Sequence, residues 1–285
     1  MSEIAYVNGK FMPIEEAVVS IDDRGYQFAD GVYEVIGTYG GRPYAMEEHL
    51  QRLERSLREL YIDVDIRENG LDLERLVTEG MERSGFGETF IYIQITRGVA
   101  PRNHAFPDPP PPPTVVMTFK EAWRQSPERY ETGTKVITTP DLRWKRCDIK
   151  SISLLGNILA KEEAHRAGAS EALLFDAQGR ITEGSSTSAF CAIDGEIRTA
   201  PTGPHILPSI TRNILLSLIR ELAIPVREEF FTREELLAAD EVFIAGTTLE
   251  AMPVVEVDGK IIGDGKPGPL TRRVREAFLK SVKRS

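Results

Sequence analysis

The chain has 285 residues, of which 41% are hydrophobic and 28% charged, so it is long enough for one large or two medium globular domains. Its net charge of −9 argues against a nucleic-acid backbone or an anionic membrane as the main partner. No apolar run approaches the about 20 residues of a membrane-spanning helix. The N-terminus lacks the layout of a signal peptide, and Cys147 and Cys191 have no metal-site or disulfide spacing. We therefore expect a cytoplasmic protein without a bound metal.

The first half of the chain is predicted to mix strands and helices. Asn8-Gly9 supplies the positive φ angles of a type I′ hairpin turn. The expected elements are a hairpin over Ala5–Phe11, strands over Asp30–Ile36, Thr89–Arg97 and Thr114–Phe119, and amphipathic helices over Glu47–Tyr61 and Asp72–Ser84. The unbroken proline run 109–113 between the last two strands is either a rigid surface connection or a ligand for a proline-binding module.

The second half alternates strands and helices more regularly. Strands are expected over Thr134–Thr139, Glu171–Phe175, Ile181–Glu183, Ala189–Ile193 and Glu241–Ala245. Helices are expected over Ile152–Ala167 and Ser209–Leu222. A short helix should follow the capping box at Thr232, and a last helix should begin near Pro269. The polar stretch 121–131 breaks the pattern, as an interdomain linker does. We expect a small N-terminal α+β domain over residues 1–120, a linker over 121–131 and a larger C-terminal domain over 132–285.

Several polar side chains in the first half have two possible uses. Tyr33 is either a core aromatic residue or a site residue on the predicted strand. Arg52 shares a polar row with His49 and Ser56, which is either a solvated helix face or a source of donors for a phosphate. Arg102 and His104 lie two residues apart, so an extended loop would aim both at one carboxylate, whereas a mobile basic loop is the alternative.

The second half offers one lysine and one carboxylate in a distinctive context. Lys150 precedes a helix rich in apolar residues, and a lysine that is kept neutral can attack a carbonyl as a Schiff-base nucleophile. Glu183 lies in a Thr-Glu-Gly-Ser-Ser run, and a carboxylate held against a pyridine nitrogen is the usual partner of pyridoxal phosphate. Either residue alone has the ordinary alternative of a solvated surface group.

Two segments have the chemistry of a phosphate cup. Ser209-Ile210-Thr211 opens a predicted helix, whose first turn presents free N–H groups and the positive end of the dipole. Gly246-Thr247-Thr248 offers hydroxyls and backbone donors directly after a predicted strand. Both are also ordinary caps and turns. The glycine-rich motifs of nucleotide-binding loops are missing from the sequence.

Taken together, these segments resemble the fold type IV pyridoxal-phosphate enzymes, and most closely their D-amino acid aminotransferase family. The resemblance covers essentially the whole chain. The matching segments are DGVYEV (30–35), EEHLQRL (47–53), TRGVAPRNHAFP (96–107), RWKRCDIKSISLLGNILAK (143–161), TEGSSTSAF (182–190), ILPSITR (206–212) and GTTLEAMP (246–253). The implied fold has a smaller α+β domain followed by a larger α/β one, with the cofactor between them, in a homodimer.

The resemblance implies a role for each candidate residue. Lys150 matches the lysine that forms the Schiff base with pyridoxal 5′-phosphate and then moves the proton, and Glu183 matches the carboxylate at the pyridine nitrogen. The phosphate cup matches Arg52, Ile210, Thr211 and Thr248. The trap for the substrate carboxylate matches Tyr33, Arg102 and His104, the last two from the neighbouring subunit.

The implied activity is ping-pong transamination between D-amino acids, such as D-alanine or D-glutamate, and 2-oxo acids such as 2-oxoglutarate or pyruvate. A branched-chain amino acid aminotransferase or a 4-amino-4-deoxychorismate lyase of the same fold is the alternative. The Arg102-x-His104 pair favours the D-amino acid interpretation, whereas Pro208-Ser209 departs from the pattern and leaves the side-chain preference open. A non-enzymatic adaptor that uses the proline run is the remaining hypothesis.

Overall fold

The computed structural model describes residues 1–67 and 71–283, which form two compact units. The first unit comprises Met1–Trp123 together with the short segment Ile149–Ser153, and the second comprises Arg124–Asp148 and Leu154–Ser285. The division at Trp123 falls inside the segment that the sequence predicts as a linker. The sequence prediction places Lys150 in the C-terminal domain over residues 132–285, and these domain limits stay a prediction. In the structure, the short segment that carries Lys150 groups with the first unit.

The first unit is built on an antiparallel sheet with strand order β2-β1-β6-β5-β3-β4. Its strands are β1 (Ile4–Val7), β2 (Lys10–Pro13), β3 (Gly31–Tyr39), β4 (Arg42–Pro43), β5 (Thr89–Thr96) and β6 (Thr114–Glu121). Its helices are α1 (Arg24–Phe28), α2 (Met46–Glu59) and α3 (Leu73–Ser84), and a 3₁₀ turn covers Ile14–Glu16.

Local sequence explains most of these elements. Asn8 and Gly9 have φ angles of 45° and 97°, which the predicted type I′ turn requires. In β5 every second residue is buried, so that Ile91, Ile93 and Ile95 point into the core. Helix α2 buries its predicted leucine stripe in the same core, and the predicted Gly85 ends α3 in the left-handed conformation.

The second unit contains a mixed sheet with order β12-β11-β10-β13-β14-β7-β8-β9, and β15 pairs with β14. The strands are β7 (Thr134–Pro140), β8 (Glu171–Phe175), β9 (Ile181–Gly184), β10 (Ser188–Ile193), β11 (Glu196–Thr199), β12 (Val226–Glu228), β13 (Glu241–Gly246), β14 (Glu250–Val257) and β15 (Lys260–Ile261). The helices are α4 (Pro127–Thr132), α5 (Leu155–Arg166), α6 (Ile210–Glu221), α7 (Arg233–Ala238) and α8 (Pro269–Val282). Parallel pairing joins β7 to β8 and β14, and β11 to β12.

Helix α5 begins three residues later than predicted. The sequence predicts a helix from Ile152, but Ile152 N–H donates to Gly31 O (3.0 Å), so the preceding segment pairs with β3 instead. The capping box at Thr232 and Glu235 is confirmed. The short helices α1 and α4 are not predicted by the sequence pattern, and α4 lies inside the predicted linker. Within the described part of the chain, no helix combines the length and apolar character needed to cross a bilayer.

Gly80 on α3 is predicted to be sensitive to any added side chain. A Cβ at this position would overlap the ring of Phe119, which is fully buried and therefore cannot swing away. We expect Gly80→Ala to lower the free energy of unfolding by about 1–3 kcal/mol, measured by urea denaturation, although alanine favours helix. Gly87→Ala is the control, because among the described residues no heavy atom beyond its two chain neighbours lies within 4 Å of its Cβ position. Equal effects at both positions would contradict this packing argument.

Candidate active site

The segment that carries Lys150 is held by its backbone against β3. Tyr33 N–H donates to Lys150 O (3.0 Å), and Lys150 N–H donates to Ser56 Oγ on α2 (3.2 Å). Ser151 forms an isolated antiparallel bridge with Val32. Because both backbone polar groups of Lys150 are satisfied, the residue has a fixed position from which only the side chain extends.

Tyr33 faces the side chain of this lysine. Lys150 Nζ lies 4.1 Å from the centroid of the Tyr33 ring, and Tyr33 in turn stacks on Tyr92 with the ring centroids 5.7 Å apart. Tyr33 is half-buried, so it is not the core aromatic residue of the ordinary interpretation. Burial and the neighbouring Tyr33 raise the pKa of Tyr92 to about 12. The Tyr33 ring, supported by Tyr92, therefore presents its face to the amine of Lys150.

A buried ion pair lies on the opposite face of β3. Arg52 Nε and Nη2 donate to the two oxygens of Glu34 at 2.7 and 2.8 Å, and His49 Nδ1 lies 2.7 Å from the same carboxylate. The polar row of α2 is thus buried, and the interpretation as a solvated face is wrong. The alternative interpretation, in which Arg52 binds a phosphate, stays a prediction. Two nitrogens of Arg52 already donate to Glu34.

Opposing effects set the charges in this cluster. Burial alone would raise the pKa of Glu34, but the charge and hydrogen bonds of Arg52 and the hydrogen bond with His49 lower it to about 2. Burial lowers the pKa of His49, although Glu34 acts in the other direction. Glu34 is therefore an ionised acceptor, and a neutral His49 donates its Nδ1–H to it.

Arg102 and His104 lie together on the exposed loop after β5. Both contact the ring of Phe28: the Arg102 guanidinium carbon is 4.6 Å from its centroid, and the His104 ring is 5.5 Å away. Within the described residues of one chain, no hydrogen bond, ion pair or ring contact joins this pair to Tyr33 or Lys150. The structure thus brings the two loop residues together, and it brings Tyr33 and Lys150 together separately.

Glu183 lies in the second unit, at the end of β9. Its Oε1 accepts a hydrogen bond from Arg143 Nη1 (2.5 Å), and the N–H of Leu207 donates to both carboxylate oxygens at 3.2 and 3.1 Å. Arg143 is itself fixed by Asp141, which accepts from Nε and Nη2 at 2.9 and 2.8 Å. Burial raises the pKa of Glu183 from 4.5 to about 7, against the lowering effect of Arg143 and Leu207.

Of the two candidate phosphate cups, the one at the start of α6 has the better defined N–H donors. Ile210 and Thr211 form the first turn of α6, and the Ser209 side chain caps the helix by accepting from Arg212 N–H (3.2 Å). The N–H groups of Ile210 and Thr211 lie outside the intrahelical ladder. Thr248 is half-buried in the turn that follows β13. The hydrogen bond of Leu207 to Glu183 places the segment before α6 beside the carboxylate.

Sequence reasoning misses two residues that organise the second unit. Arg143 is hidden in a basic run, and only its spacing to Asp141 points to a fixed ion pair. Glu171 is fully buried and accepts hydrogen bonds from the hydroxyls of Ser185, Ser186 (2.8 Å) and Thr187 (3.2 Å), which fixes the turn after Glu183. The run of hydroxyl residues is the available signal, because such a run in a buried turn needs an acceptor.

Comparison with known proteins identifies the family. Residues 31–257 match the sequence profile of the family Amino-transferase class IV. The chain is 42% identical over 280 residues to a D-alanine aminotransferase of Staphylococcus haemolyticus, with 97% of each chain covered. It is 43% identical over 278 residues to a D-alanine aminotransferase of Bacillus licheniformis, with 96% of this chain and 95% of the relative covered.

Solved structures agree with this relationship. The fold is similar to a T.th. branched-chain amino acid aminotransferase with pyridoxamine 5′-phosphate, with a TM-score of 0.91, 30% identity, and 99% of this chain and 94% of that chain covered. The branched-chain amino acid aminotransferase from Escherichia coli gives a TM-score of 0.86 at 28% identity, with 98% and 94% covered. The chain therefore belongs to the class IV aminotransferase family. It is an aminotransferase of fold type IV, which confirms the predicted fold class.

The raised pKa of Glu183 predicts a pH-dependent stability. The folded protein binds this proton more tightly than the unfolded chain, so the group's contribution to the free energy of unfolding falls as the pH rises from 4.5 to about 7. Urea denaturation of the dialysed protein should therefore show a free energy of unfolding that falls by on the order of 3 kcal/mol between pH 4.5 and about pH 7, relative to the Glu183→Gln variant. A difference between the two proteins that is constant from about pH 4 to about pH 8 would contradict the assigned environment.

Proposed function

We propose that the protein is a pyridoxal-phosphate-dependent transaminase that moves amino groups between D-amino acids of the D-alanine or D-glutamate type and 2-oxo acids such as 2-oxoglutarate or pyruvate. The route is ping-pong, with Lys150 as the Schiff-base lysine. The observation that carries the proposal is the position of Lys150, whose backbone is hydrogen bonded to β3 and α2 and whose amine faces Tyr33.

The donors and acceptors of the chain fit pyridoxal phosphate. Phosphate oxygens need N–H donors, which the first turn of α6 at Ile210 and Thr211 supplies. A pyridine nitrogen needs a buried acid or its carboxylate, and Glu183 is both buried and oriented by Leu207 N–H. When bound, the cofactor supplies an aldehyde that takes up the amino group and a ring that withdraws electrons from the substrate α-carbon.

Lys150 is the group that moves the proton in this proposal. Its amine would take the proton from the substrate α-carbon as a general base and then, as a general acid, would give it to the cofactor carbon that receives the amino group. A fixed backbone and a single mobile side chain restrict the amine to a small volume, which favours transfer over a defined distance. Tyr33 beside Nζ stabilises the ammonium form that exists after the proton is taken.

Glu183 and Arg143 hold a proton at the ring nitrogen. A carboxylate whose conjugate acid has a pKa of about 7 binds a proton about as tightly as a pyridine nitrogen does. The two groups can therefore share one proton. Arg143 favours the ionised carboxylate and thereby favours the proton on the ring. Asp141 keeps Arg143 in place through two hydrogen bonds. When the cofactor is bound, Glu183 and Arg143 would therefore favour a protonated ring nitrogen.

The preference for D-amino acids is supported by the relatives and by the loop. Proteins named D-alanine aminotransferase are 42% and 43% identical to the chain, whereas the T.th. branched-chain amino acid aminotransferase is 30% identical. Arg102 and His104 share one aromatic ring, which suits a pair that binds one carboxylate. Branched-chain aminotransferase activity is the second candidate, favoured by the TM-score of 0.91.

A second copy of the chain is part of the proposal. Leu155, Ile158 and Leu159 lie on one face of α5 and are 69%, 57% and 62% exposed. Spacings of three and four residues make these side chains neighbours, and such apolar stripes are normally covered. We propose that the stripe contacts a second protomer in a homodimer, in which Arg102 and His104 serve the neighbouring subunit. Light scattering of the purified protein should give twice the mass of 31.8 kDa.

The activity is tested by paired substrates. D-Alanine with 2-oxoglutarate should be turned over and should shift the absorbance of the bound cofactor, whereas L-alanine should do neither. Arg102→Ala should lower kcat/KM for D-alanine roughly 100-fold, because a charged partner of the carboxylate is lost, while the bound cofactor is retained.

The control for this variant is Arg83→Ala, which removes an exposed arginine of α3 that pairs with Glu79. Its kcat/KM should match that of the unmodified protein. Turnover of L-leucine with none of any D-amino acid would contradict the D-amino acid assignment and favour the branched-chain candidate.

A further inference from the structure

The loop that carries Arg102 and His104 is tied down by a buried arginine from another part of the first unit. Arg24, the first residue of α1, is 3% exposed although it is one of the longest and most polar side chains. Its Nη1 donates to Asn103 O (2.6 Å) and to Ala105 O (3.4 Å), and its Nη2 donates to His104 O (3.4 Å). One guanidinium group thus contacts three successive carbonyls of the loop.

Asp30 fixes the guanidinium group of Arg24 from the other side. Its Oδ2 accepts from Arg24 Nε (2.7 Å) and from Arg97 Nε (2.8 Å), and its Oδ1 accepts from Arg97 Nη2 (3.0 Å). Burial alone would raise the pKa of Asp30, but the hydrogen bonds and charges of the two arginines lower it overall. Asp30 directly precedes β3, so the anchor of the loop is continuous with the strand that carries Tyr33.

Arg97 extends the same network to the tip of the loop. Its guanidinium carbon lies 3.6 Å from the centroid of the Phe106 ring, and its Nη groups donate to Leu60 O (2.6 Å) and Tyr61 O (2.9 Å). Arg97 follows the last residue of β5, directly before the loop begins. The loop is therefore held at its start, along its backbone and at Phe106, even though its own side chains are exposed.

Phe28 completes the arrangement from the last position of α1. Arg24 lies 5.0 Å from its ring centroid, while Arg102 and His104 contact the ring at 4.6 and 5.5 Å. The carbonyls that Arg24 binds belong to the residue between the pair, to His104 itself and to the residue after it. Rotation of this backbone would move both cationic side chains off the ring together.

We propose that Arg24 is a positioning residue for recognition of the substrate carboxylate, because it fixes the backbone that presents Arg102 and His104. This inference rests on the proposed function, in which these two residues bind the carboxylate. Arg24 does not touch substrate: it acts through the loop, and Asp30 and Arg97 hold it in place.

The test is a double-mutant cycle on the cofactor-loaded enzyme. Arg24→Met should raise KM for D-alanine and lower kcat/KM roughly 10- to 100-fold, with a much smaller change in kcat, since the loop holds the ground state and the transition state alike. In an Arg102→Ala/His104→Ala background the same substitution should have little further effect, because the two side chains that Arg24 positions are already absent. Arg24→Lys should recover only part of the lost kcat/KM, since an ammonium group lacks the planar array of donors that hydrogen bonds to several carbonyls at once.

A structural readout and a matched control accompany the kinetics. Amide hydrogen exchange at residues 103–106 should accelerate in Arg24→Met, while the absorbance of the bound cofactor stays that of the unmodified enzyme. Arg67→Met is the control: Arg67 lies in the same unit and pairs with Glu47 and Glu54 on α2, so its loss should leave KM unchanged. Should Arg24→Met fail to fold, Phe28→Leu removes the shared ring and should raise KM in the same direction.

The possible outcomes separate the inference from the proposed function. Independent, multiplicative effects of Arg24→Met and the Arg102→Ala/His104→Ala pair would overturn the inference, while D-alanine turnover by the unmodified enzyme would uphold the proposed function. A fall in kcat with unchanged KM would also overturn it. An unmodified, cofactor-loaded enzyme that turns over no D-amino acid would remove the proposed function, and the inference with it.

Discussion

The pairing of a five-residue segment with β3 is the interaction on which the first unit's chemistry depends. Ile149–Ser153 is flanked in sequence by residues of the second unit, yet it groups with the N-terminal sheet. Ile149 enters the core of that sheet, and the next residues bond to β3 and to Ser56. Lys150 is thus held like a strand residue with its amine beside Tyr33. A lysine on a free loop would lose more entropy whenever it reacted.

Buried carboxylates paired with arginine recur in the chain, and their pKa values differ for a geometric reason. Glu34 receives two hydrogen bonds from Arg52 and one from His49, and its pKa falls to about 2. Glu183 receives one nitrogen of Arg143, because Asp141 takes two of the other donors, and Leu207 N–H is its other donor. Burial therefore prevails and raises the pKa of Glu183 to about 7. Sharing one arginine between two carboxylates therefore leaves one of them able to exchange a proton near neutral pH. The Glu34 carboxylate stays ionised near neutral pH, whereas the Glu183 carboxyl group can gain or lose a proton there.

Local signals in the sequence predict the elements well, whereas contacts between distant segments escape them. The Asn8-Gly9 turn, the Ser209 cap and the Thr232 capping box depend on neighbours within three residues, and all three are present. The register of Lys150 depends on Ser56, 94 residues away, so periodicity alone extends α5 too far toward its N-terminus. The burial of Arg52 depends on Glu34 in the same way. Arg24 gives no sequence signal at all, because most of its partners are backbone carbonyls.

In the proposed function, the amine of Lys150 forms the covalent bond with pyridoxal phosphate. Borohydride reduction of the cofactor-loaded protein makes that bond permanent, and proteolysis followed by mass spectrometry locates it. We expect the reduced cofactor on the peptide that contains Lys150, in about one equivalent per chain. Attachment at another lysine, such as Lys145 or Lys161, or recovery of the peptide without any adduct, would contradict the account.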